Sequence, residues 1–289
     1  MIKKAIILCG GTGSRMYPTT LSTNKQLLPL YDKPMFFYPL SVLMLAGIRE
    51  YLFIINPGQK NKFEKLLGPT KDLGIKVKYI EQSKPNGLPE AFILGKSFIG
   101  KDSVALMLGD NFLYGSMLTP LIRNSLSMNS GANIYLYPSK KTSSYGVVEL
   151  DKNGEVKKII EKPKFTKSNL VITGLYAFDN NVVDYVKKIK ISKRNELEIV
   201  DLIKIYDDKK NLNLIKLGRG TAWLDVGSFD DLFSASSFVK NIEDRQNYKI
   251  GCLEEISYNN KWITKKNILQ RISKYKNSKY SEYLKRILD

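Results

Sequence analysis

Apolar, strand-like runs alternate with helix-like segments over the first 108 residues of the chain. The apolar runs, most of them rich in β-branched or large apolar side chains, lie at residues 3–9, 51–56, 74–81 and 103–108. Segments of helical length and spacing lie between them, at residues 35–49, 59–67 and 88–98. Such alternation requires crossover connections, which are right-handed and place helices over a parallel sheet. The sequence therefore predicts a mostly parallel sheet covered by helices.

The pattern changes after about residue 130 to shorter strands, predicted at 132–137, 145–150, 155–160 and 170–178, with a hairpin turn at 151–154. Helices at 180–189 and 196–208, a strand at 212–217 and a lysine-rich helical tail from about residue 228 follow. We predict an α/β fold with a Rossmann-like, mostly parallel central sheet, helices on both faces, an inserted antiparallel portion and a C-terminal helical subdomain. The expected division is a core of residues 1–227, with the antiparallel portion at about 130–227, and a subdomain of residues 228–289.

The chain contains no histidine and only two cysteines, Cys9 and Cys252. Lack of histidine excludes a Ser-His-Asp triad, a Cys-His pair, a histidine-bound zinc ion and an imidazole general base. Any catalysis must therefore use carboxylates, Lys, Arg, Tyr, backbone amides and hard metal ions. The cysteines form no disulfide framework, and the sequence has neither a signal peptide nor an apolar run of about 18 residues. We expect a cytoplasmic protein that does not enter a membrane.

Lysine and arginine number 46 against 28 acidic residues, and the formal net charge is +18. Such a charge is common in proteins that bind nucleic acids. Here, however, only eight of the cationic residues are arginine, the side chain that such proteins favour, and the lysines are scattered through every segment. We predict a lysine-rich surface and no nucleic-acid partner. The alternative is that part of the charge serves acidic small substrates or polyanions.

A glycine-rich loop, Gly10-Gly11-Thr12-Gly13, directly follows the first predicted strand. Open parallel sheets bind ligands at the carboxyl ends of their strands, where a glycine loop lets backbone amides approach phosphates closely. Two cationic side chains, Arg15 and Lys25, follow the loop and suit a triphosphate. The loop matches neither the G-x-x-x-x-G-K-[ST] motif nor the dinucleotide fingerprint, because Met16 stands where the latter needs Gly or Ala. By itself, the loop is either a phosphate cradle or a tight turn.

A series of ordered motifs extends over nearly the whole chain. The first of these motifs are Gly10-Gly11-x-Gly13-[ST]-Arg15, Lys25-Gln26-Leu27-Leu28-Pro29 and Tyr31-Asp32-Lys33-Pro34-Met35. The others are Pro85-x-Gly87-Leu88-x-x-Ala91-Phe92, Leu108-Gly109-Asp110-Asn111, Tyr145-Gly146-Val147-Val148-Glu149, Glu161-Lys162-Pro163, Thr173-Gly174-Leu175-Tyr176, Glu196-Leu197-Glu198-Ile199 and Trp223-Leu224-Asp225. Together these motifs resemble those of sugar nucleotidylyltransferases, and most closely those of glucose-1-phosphate thymidylyltransferases.

The resemblance implies that an oxygen of α-D-glucose 1-phosphate attacks the α-phosphorus of dTTP, giving dTDP-glucose and pyrophosphate. It also implies a place at the start of dTDP-deoxysugar synthesis, of the dTDP-rhamnose type. A phosphate nucleophile is already ionised at neutral pH, so this reaction needs no general base and suits a chain without histidine. The alternative within the family is UTP or another nucleoside triphosphate. A Rossmann dehydrogenase and a non-catalytic nucleic-acid-binding module are the alternatives outside it.

The resemblance assigns catalysis to five residues. Asp110 and Asp225 would hold Mg²⁺, which prefers one or two protein carboxylates together with phosphate oxygens and water. Arg15 would clamp the β and γ phosphates of the nucleotide, and Lys25 would neutralise charge at the α-phosphate. Lys162 would grip the phosphate of the sugar.

The resemblance also assigns two sets of binding residues. Those for the nucleotide are Gly10, Gly11, Thr12, Gly13, Arg15, Lys25, Gln82, Gly87 and Asp110. Those for the sugar phosphate are Asn111, Tyr145, Gly146, Glu161, Lys162, Ile172, Thr173, Tyr176 and Arg194. Gln82 would pair its amide with a donor and an acceptor on thymine or uracil.

The chain departs from the family pattern at a few positions. Pro89-Glu90 stands where Ala-Gln is common, Asn195 stands where Gly is usual, and Val226 and Ser228 replace threonines. These changes spare the expected phosphate and metal ligands, so they bear on selectivity rather than on the reaction. Family members of this length imply a homotetramer with a second, regulatory site, and the helical tail could build either feature.

Overall fold

The computed structural model of the chain describes residues 1–128 and 130–289. Its strands are β1 (Lys4–Cys9), β2 (Pro29–Leu30), β3 (Lys33–Pro34), β4 (Glu50–Ile55), β5 (Lys76–Glu81), β6 (Val104–Leu108), β7 (Asn111–Tyr114), β8 (Ala132–Pro138), β9 (Gly146–Leu150), β10 (Val156–Glu161), β11 (Leu170–Phe178), β12 (Leu212–Lys216) and β13 (Ala222–Asp225). Its helices are α1 (Phe37–Leu45), α2 (Lys60–Leu67), α3 (Glu90–Leu94), α4 (Lys96–Ile99), α5 (Leu118–Ser125), α6 (Val182–Tyr185), α7 (Ile199–Asp208), α8 (Phe229–Gln246), α9 (Leu253–Asn259), α10 (Lys265–Tyr275) and α11 (Lys279–Arg286).

In the part of the chain that the structure describes, nine strands form one central sheet. Strands β5, β4, β1 and β6 lie side by side in parallel. Strand β11 pairs antiparallel with β6 on one side and with β8 on the other, and β12 pairs parallel with β8. The β9–β10 hairpin joins the first half of β11. The predicted fold class is confirmed, and the antiparallel strands continue the central sheet.

Helices cover both faces of the sheet because successive strand side chains point to opposite faces. Ile7 of β1 belongs to a core that also includes side chains of α1, α2, α5 and α9. Its neighbour Ile6 belongs to a second core, formed with α3, α4, α6 and α7. Because helices cover both faces of the sheet, the polar residues lie at the ends of the strands.

The helix predicted at residues 88–98 is two short helices, α3 and α4, which meet at Gly95. A Cβ atom at Gly95 would lie 2.9 Å from Ile6 Cδ1 and 2.9 Å from the Ala91 carbonyl oxygen. Glycine therefore lets this pair of helices press directly against β1. The helix predicted at 180–189 is likewise shorter, because α6 gives way to a 3₁₀ turn at Val186–Lys188.

Two short strands that the sequence did not predict, β7 and β13, pair antiparallel and place Asn111 opposite Asp225. Each has four residues, too few for hydrophobic periodicity to reveal a strand. Their pairing joins residues 114 positions apart. It brings two of the predicted site segments together.

The C-terminal helices build two smaller apolar cores. Helix α8 contributes Ala235 and Val239 to one of them, and α9, α10 and α11 surround the other. Between α9 and α10, Arg271 Nε donates a hydrogen bond to Glu254 Oε1 at 2.6 Å, and both side chains are buried. Within residues 1–128 and 130–289, no helix has the length and hydropathy that crossing a bilayer requires.

We predict that Glu254→Ala lowers the free energy of unfolding by about 3–5 kcal/mol, because it leaves the Arg271 charge buried without a partner. Burial alone would raise the pKa of Glu254, but the Arg271 charge and the Tyr280 hydroxyl hold that pKa below its ordinary value of 4.5. The pair is therefore intact at pH 7. Urea unfolding at pH 7, with the exposed Glu282→Ala of α11 as control, measures the effect. Equal midpoints for the two variants would contradict it.

Candidate active site

The carboxyl ends of the four parallel strands lie at one edge of the central sheet, and polar or glycine residues follow each strand. Gly10 follows β1, Asn56 follows β4, Gln82 follows β5, and Asp110 comes two residues after β6. The parallel register places Cys9 opposite Ile55, and Ile55 opposite Glu81, so these ends are level. The arrangement forms a crevice of the kind in which open α/β sheets bind ligands.

The glycine loop encloses a small cavity of about 190 Å³ in this crevice. Gly11 and Gly13 have φ angles of 100° and 61°, which strain a residue that carries a side chain. The loop leads into a 3₁₀ turn that contains Arg15. The cavity is lined by residues 10–15 with Lys25, Gln26, Asp110 and Gly227. The structure thus brings together the predicted phosphate-binding residues of the loop and its neighbours.

Asn56, which was not predicted from the sequence, holds the glycine loop with two hydrogen bonds. Its Oδ1 accepts from the Gly11 N–H at 3.0 Å, and its Nδ2 donates to the Gly11 carbonyl at 2.8 Å. The only sequence signal for this role is the position of Asn56 directly after an apolar strand. The Gly11 amide is therefore already hydrogen-bonded, and a nucleotide that bound it would have to replace Asn56.

Gln26, a second residue that was not predicted, lines the same cavity and is buried. Within the described residues, its Oε1 atom has no hydrogen-bond partner. Buried acceptors are rarely left unpaired, so this oxygen is a candidate ligand contact. The sequence signal for this role was the position of Gln26 next to Lys25 in the Lys25-Gln26-Leu27-Leu28-Pro29 motif.

The side chain of Asn111 ties the two predicted metal ligands together. Its Nδ2 donates to Asp110 Oδ1 at 3.2 Å and to Asp225 Oδ1 at 3.3 Å. Asp110 is also ion-paired with Lys25, whose Nζ donates to the Val226 carbonyl at 3.1 Å. The pairing of β7 with β13 therefore fixes two carboxylates and one ammonium group in a single cluster.

Asp225 is difficult to ionise in this cluster. Burial, followed by the negative charge of Asp110, raises its pKa to about 6, although Lys25 and Arg15 oppose the shift. A raised pKa means that the carboxylate form is destabilised. A bound cation beside the two carboxylates would remove that cost.

The residues present fit a hard divalent cation that also binds phosphate. Within the described residues, no group of three or more acidic or cysteine side chains could enclose a metal ion on its own. Mg²⁺, however, usually keeps water and phosphate oxygens and takes only one or two protein carboxylates. Asp110 and Asp225, linked through Asn111, supply that number of ligands.

A larger cavity of about 600 Å³ adjoins the carboxylates. Its lining includes predicted sugar-phosphate residues, namely Asn111, Tyr145, Gly146, Glu161, Lys162, Ile172, Thr173 and Tyr176. Trp223, which was not predicted, lies between this cavity and the cluster and donates from Nε1 to Asn111 Oδ1 at 2.7 Å. Within the described residues, the buried Thr173 Oγ1 has no hydrogen-bond partner. Such an orphan hydroxyl suits a ligand with hydroxyl groups of its own.

Glu161 lies at the rim of this cavity between two cationic side chains. Lys162 Nζ and Arg194 Nη1 lie 3.8 and 3.3 Å from Glu161 Oε1. Burial and then the charge of Glu198 raise the pKa of Glu161, against the effect of the two cations. Arg194 itself is 41% exposed and also pairs with Glu196, so it lies beside the cavity and not in its lining.

Gln82 and Gly87, the predicted base-binding residues, lie outside both cavity linings, although Leu88, the neighbour of Gly87, lines the larger cavity. Gln82 Oε1 is 3.1 Å from the point where a Cβ atom on Gly10 would lie. Gly87 has a φ of 107°, and a Cβ there would lie 2.1 Å from the Leu197 carbonyl oxygen. Gly87 thus permits close packing of two backbone segments.

The two cavities meet at Arg15 and Asp110, which line both. The Arg15 guanidinium packs against Gly227, where a Cβ atom would lie 2.9 Å from Nη1. A ligand in the glycine-loop cavity and a ligand in the larger cavity would therefore share the same cation and the same carboxylate.

We predict that Asp225→Asn stabilises the free protein at pH 8 by roughly 1–2 kcal/mol, because it removes a carboxylate whose ionisation is unfavourable. The raised pKa sets the pH window. The gain should be complete above pH 6 and disappear as the pH falls below 3.8, where the native carboxyl is protonated in both the folded and the unfolded chain. Urea unfolding in chelator-containing buffer, with the exposed Asp208→Asn as control, measures it. A loss of stability at pH 8 would contradict the prediction.

Comparison with known proteins shows the family to which the chain belongs. The family model described as "Nucleotidyl transferase" matches residues 4–242. The glucose-1-phosphate thymidylyltransferase of Neisseria gonorrhoeae is 46% identical and aligns over 97% of this chain and 98% of its own length. That of Mycobacterium tuberculosis strain H37Rv is 42% identical and aligns over 99% of each chain.

Solved structures show the same fold. A crystal structure described as that of a glucose-1-phosphate thymidylyltransferase from Bacillus anthracis, in complex with sucrose, has a TM-score of 0.76 at 32% identity and covers 83% of this chain and 96% of that one. A UDP-glucose pyrophosphorylase complexed with UDP-glucose has a TM-score of 0.72 at 23% identity, covers 83% and 99%, and shows the fold alone. The predicted resemblance is confirmed: the chain belongs to the nucleotidyl transferase family, and its full-length relatives include glucose-1-phosphate thymidylyltransferases.

Proposed function

We propose that this protein transfers a thymidylyl group from dTTP to α-D-glucose 1-phosphate and releases pyrophosphate. The observation that carries the proposal is the meeting of the two cavities at Arg15 and Asp110. One cavity has the glycine loop and cations that suit a triphosphate, and the other has the size and polar lining that suit a hexose phosphate. The names of relatives that match nearly the full chain support the choice of substrates.

The reaction requires positioning and charge neutralisation. An ionised oxygen of the sugar phosphate attacks the α-phosphorus of the nucleotide, and the bond from that phosphorus to the bridging oxygen of the β-phosphate breaks. Pyrophosphate leaves with the electron pair, so no proton has to be moved. We assign Lys25 to charge at the α-phosphate and Arg15 to the departing pyrophosphate, since both side chains line the glycine-loop cavity.

Mg²⁺ is the cofactor that we propose for this site. Asp110 and Asp225 would hold it, and when bound it would neutralise phosphate charge. Asn111 orients both carboxylates towards each other in the protein itself. Lys25, which is ion-paired with Asp110, neutralises part of the negative charge of the two carboxylates.

The larger cavity is the proposed site of the hexose. Glu161 and Tyr145 offer side chains that accept or donate hydrogen bonds to a ring of hydroxyls, and the unpaired Thr173 hydroxyl is a further contact. Asn111 also lines this cavity, with its amide already hydrogen-bonded within the protein. Gly146, Ile172 and Tyr176 would shape its walls. Lys162 and Arg194, which flank Glu161, are the proposed contacts for the sugar phosphate.

The base would lie against Gln82 and Gly87. The unpaired oxygen of Gln26 is the added nucleotide contact in this proposal. Because thymine and uracil differ by one methyl group, worth about 1–3 kcal/mol in a pocket, the strictness for dTTP over UTP is a matter for measurement.

The homotetramer, the cytoplasmic location, the boundary at residue 227 and the dTDP-deoxysugar pathway stay predictions.

We predict that pyrophosphate release with glucose 1-phosphate is fastest with dTTP in a panel of dTTP, UTP, CTP, ATP and GTP. The test is a coupled assay with Mg²⁺ present, and a parallel series without sugar phosphate shows how much release is simple hydrolysis. A clear preference for another nucleotide would refute the assignment of dTTP. Lack of release with all five would refute the reaction itself.

We predict that Arg15→Ala and Lys162→Ala each lose about 100-fold or more in turnover with the fold intact, by analogy with the loss of one donor to a developing charge. Arg245→Ala and Lys152→Ala, at exposed positions outside both cavities, are the matched controls. Steady-state kinetics and circular dichroism give the two readouts. Turnover near that of the native protein in either site variant would remove the role given to that residue.

A further inference from the structure

A further cavity, of about 530 Å³, lies where the C-terminal helices meet the edge of the central sheet. Its walls come from the end of α2, the 3₁₀ turn at Thr70–Leu73, the edge strand β5 and helix α10. Within the described residues, its lining has no residue in common with the two cavities proposed for the substrates. Its volume falls within the range of small-molecule sites, about 300–1,000 Å³.

Arg271 of α10 brings an unpaired hydrogen-bond donor to this cavity. Its Nε donates to Glu254, and its Nη2 donates to the Leu67 carbonyl at 2.9 Å. Within the described residues, Nη1 has no hydrogen-bond partner, although the side chain is buried. Nη1 lies 3.4 Å from the point that a Cβ atom on Gly68, a lining residue, would occupy. Buried donors are rarely left unpaired, so an acceptor is expected beside Gly68.

Lys274 and Tyr79 supply two further donors to the same cavity. Lys274 Nζ lies 3.0 Å from the same point beside Gly68. Tyr79 lines the cavity from β5, and in the described part of the chain its buried hydroxyl has no hydrogen-bond partner. Burial and then the charge of Glu64 raise the pKa of Tyr79, so this hydroxyl keeps its proton at neutral pH and can donate.

The carboxylates near the cavity are paired with other cations. Glu64 Oε1 lies 3.7 Å from Lys60 Nζ, and Glu254 accepts from Arg271 Nε. Lys65 adds a second ammonium group to the lining. The cavity therefore has more cations and donors than its own acceptors satisfy, which favours an anionic ligand.

We propose that this cavity binds a phosphate group, either as inorganic phosphate or as the phosphate of a small monoester. Several acceptor oxygens in a tetrahedral arrangement allow a phosphate to accept from a guanidinium, an ammonium and a hydroxyl group at once. A carboxylate offers only two oxygens in one plane, which suits donors from two different elements less well. The inference is independent of the proposed reaction, since neither substrate cavity is involved.

Binding requires a small movement of one side chain. Arg271 Nη1 is buried, and Lys274 Nζ lies on the same side of Gly68. Lys274 is exposed, and exposed side chains change rotamer within nanoseconds. A phosphate can therefore reach Arg271 when Lys274 turns aside, and Lys274 can then donate to it.

The test uses methyl NMR of valine-labelled protein, because two valines report on two different sites. Val77 lines the proposed cavity, and Val226, whose carbonyl accepts from Lys25, lies beside the glycine loop. Substitution of each valine by isoleucine assigns its signals. Titration with inorganic phosphate, and separately with glycerol phosphate, at constant ionic strength then gives one dissociation constant for each site.

The variants K274A and Y79F each remove one proposed donor. Their matched controls are K266A, at an exposed position of α10, and Y185F, a half-buried tyrosine outside the cavity. For the native protein and both controls, we expect the Val77 signals to give a dissociation constant of about 1 mM or lower. It should rise about tenfold or more in K274A and about threefold or more in Y79F, with the Val226 constant unchanged.

Two outcomes would overturn the proposal. One is a response confined to the Val226 signals, which would place phosphate at the glycine loop alone. The other is a native constant at Val77 in folded K274A and Y79F. If Y79F does not fold, K274A decides by itself. The two titrants distinguish the sources: tighter binding of glycerol phosphate supports a monoester as the ligand, and tighter binding of inorganic phosphate supports the free ion.

Discussion

The site depends on the four hydrogen bonds of one buried amide, that of Asn111. Its nitrogen donates to Asp110 and Asp225, and its oxygen accepts from the Gly174 N–H at 3.0 Å and from Trp223. A primary amide has two donors and two lone pairs, so the group is fully used. Through these bonds it joins the end of the parallel strands, the β7–β13 pair and strand β11. Each of the three parts is thereby held at a fixed distance from the carboxylates.

The Asn111 amide also explains why residue 174 is glycine and why the pKa of Asp225 is raised. A Cβ atom on Gly174 would lie 2.5 Å from Asn111 Oδ1, so the hydrogen bond from the Gly174 N–H requires glycine there. The same geometry holds two carboxylates against each other, and the raised pKa of Asp225 is its consequence. Lys25 compensates only partly, because it is paired with Asp110. The two carboxylates of the free protein would therefore be more favourable with a cation bound beside them than without one.

Sequence predicted the parts of the site that depend on local order, and missed those that depend on long-range pairing. The glycine loop and Asp110 follow strands that the sequence shows as apolar runs, so their meeting at one edge of the sheet could be expected. Asn56, by contrast, contacts Gly11 across 45 residues, and its only local signal is its position directly after an apolar strand. Strands β7 and β13 are too short for the sequence to show the hydrophobic periodicity of a strand. Family motifs supplied Asp225 and Lys162, which composition and spacing could not have selected among so many charged residues.

The two ends of the crevice are connected by backbone contacts. Leu197 donates to the Asn86 carbonyl, and Gly87 packs against the Leu197 carbonyl oxygen. The Leu197 segment continues into Glu198, whose carboxylate lies 3.6 Å from Arg194. An in-line transfer tolerates little error in the separation of its two substrates. Because the loop proposed for the base and the segment proposed for the sugar phosphate share these contacts, a shift of one would be transmitted to the other through the backbone.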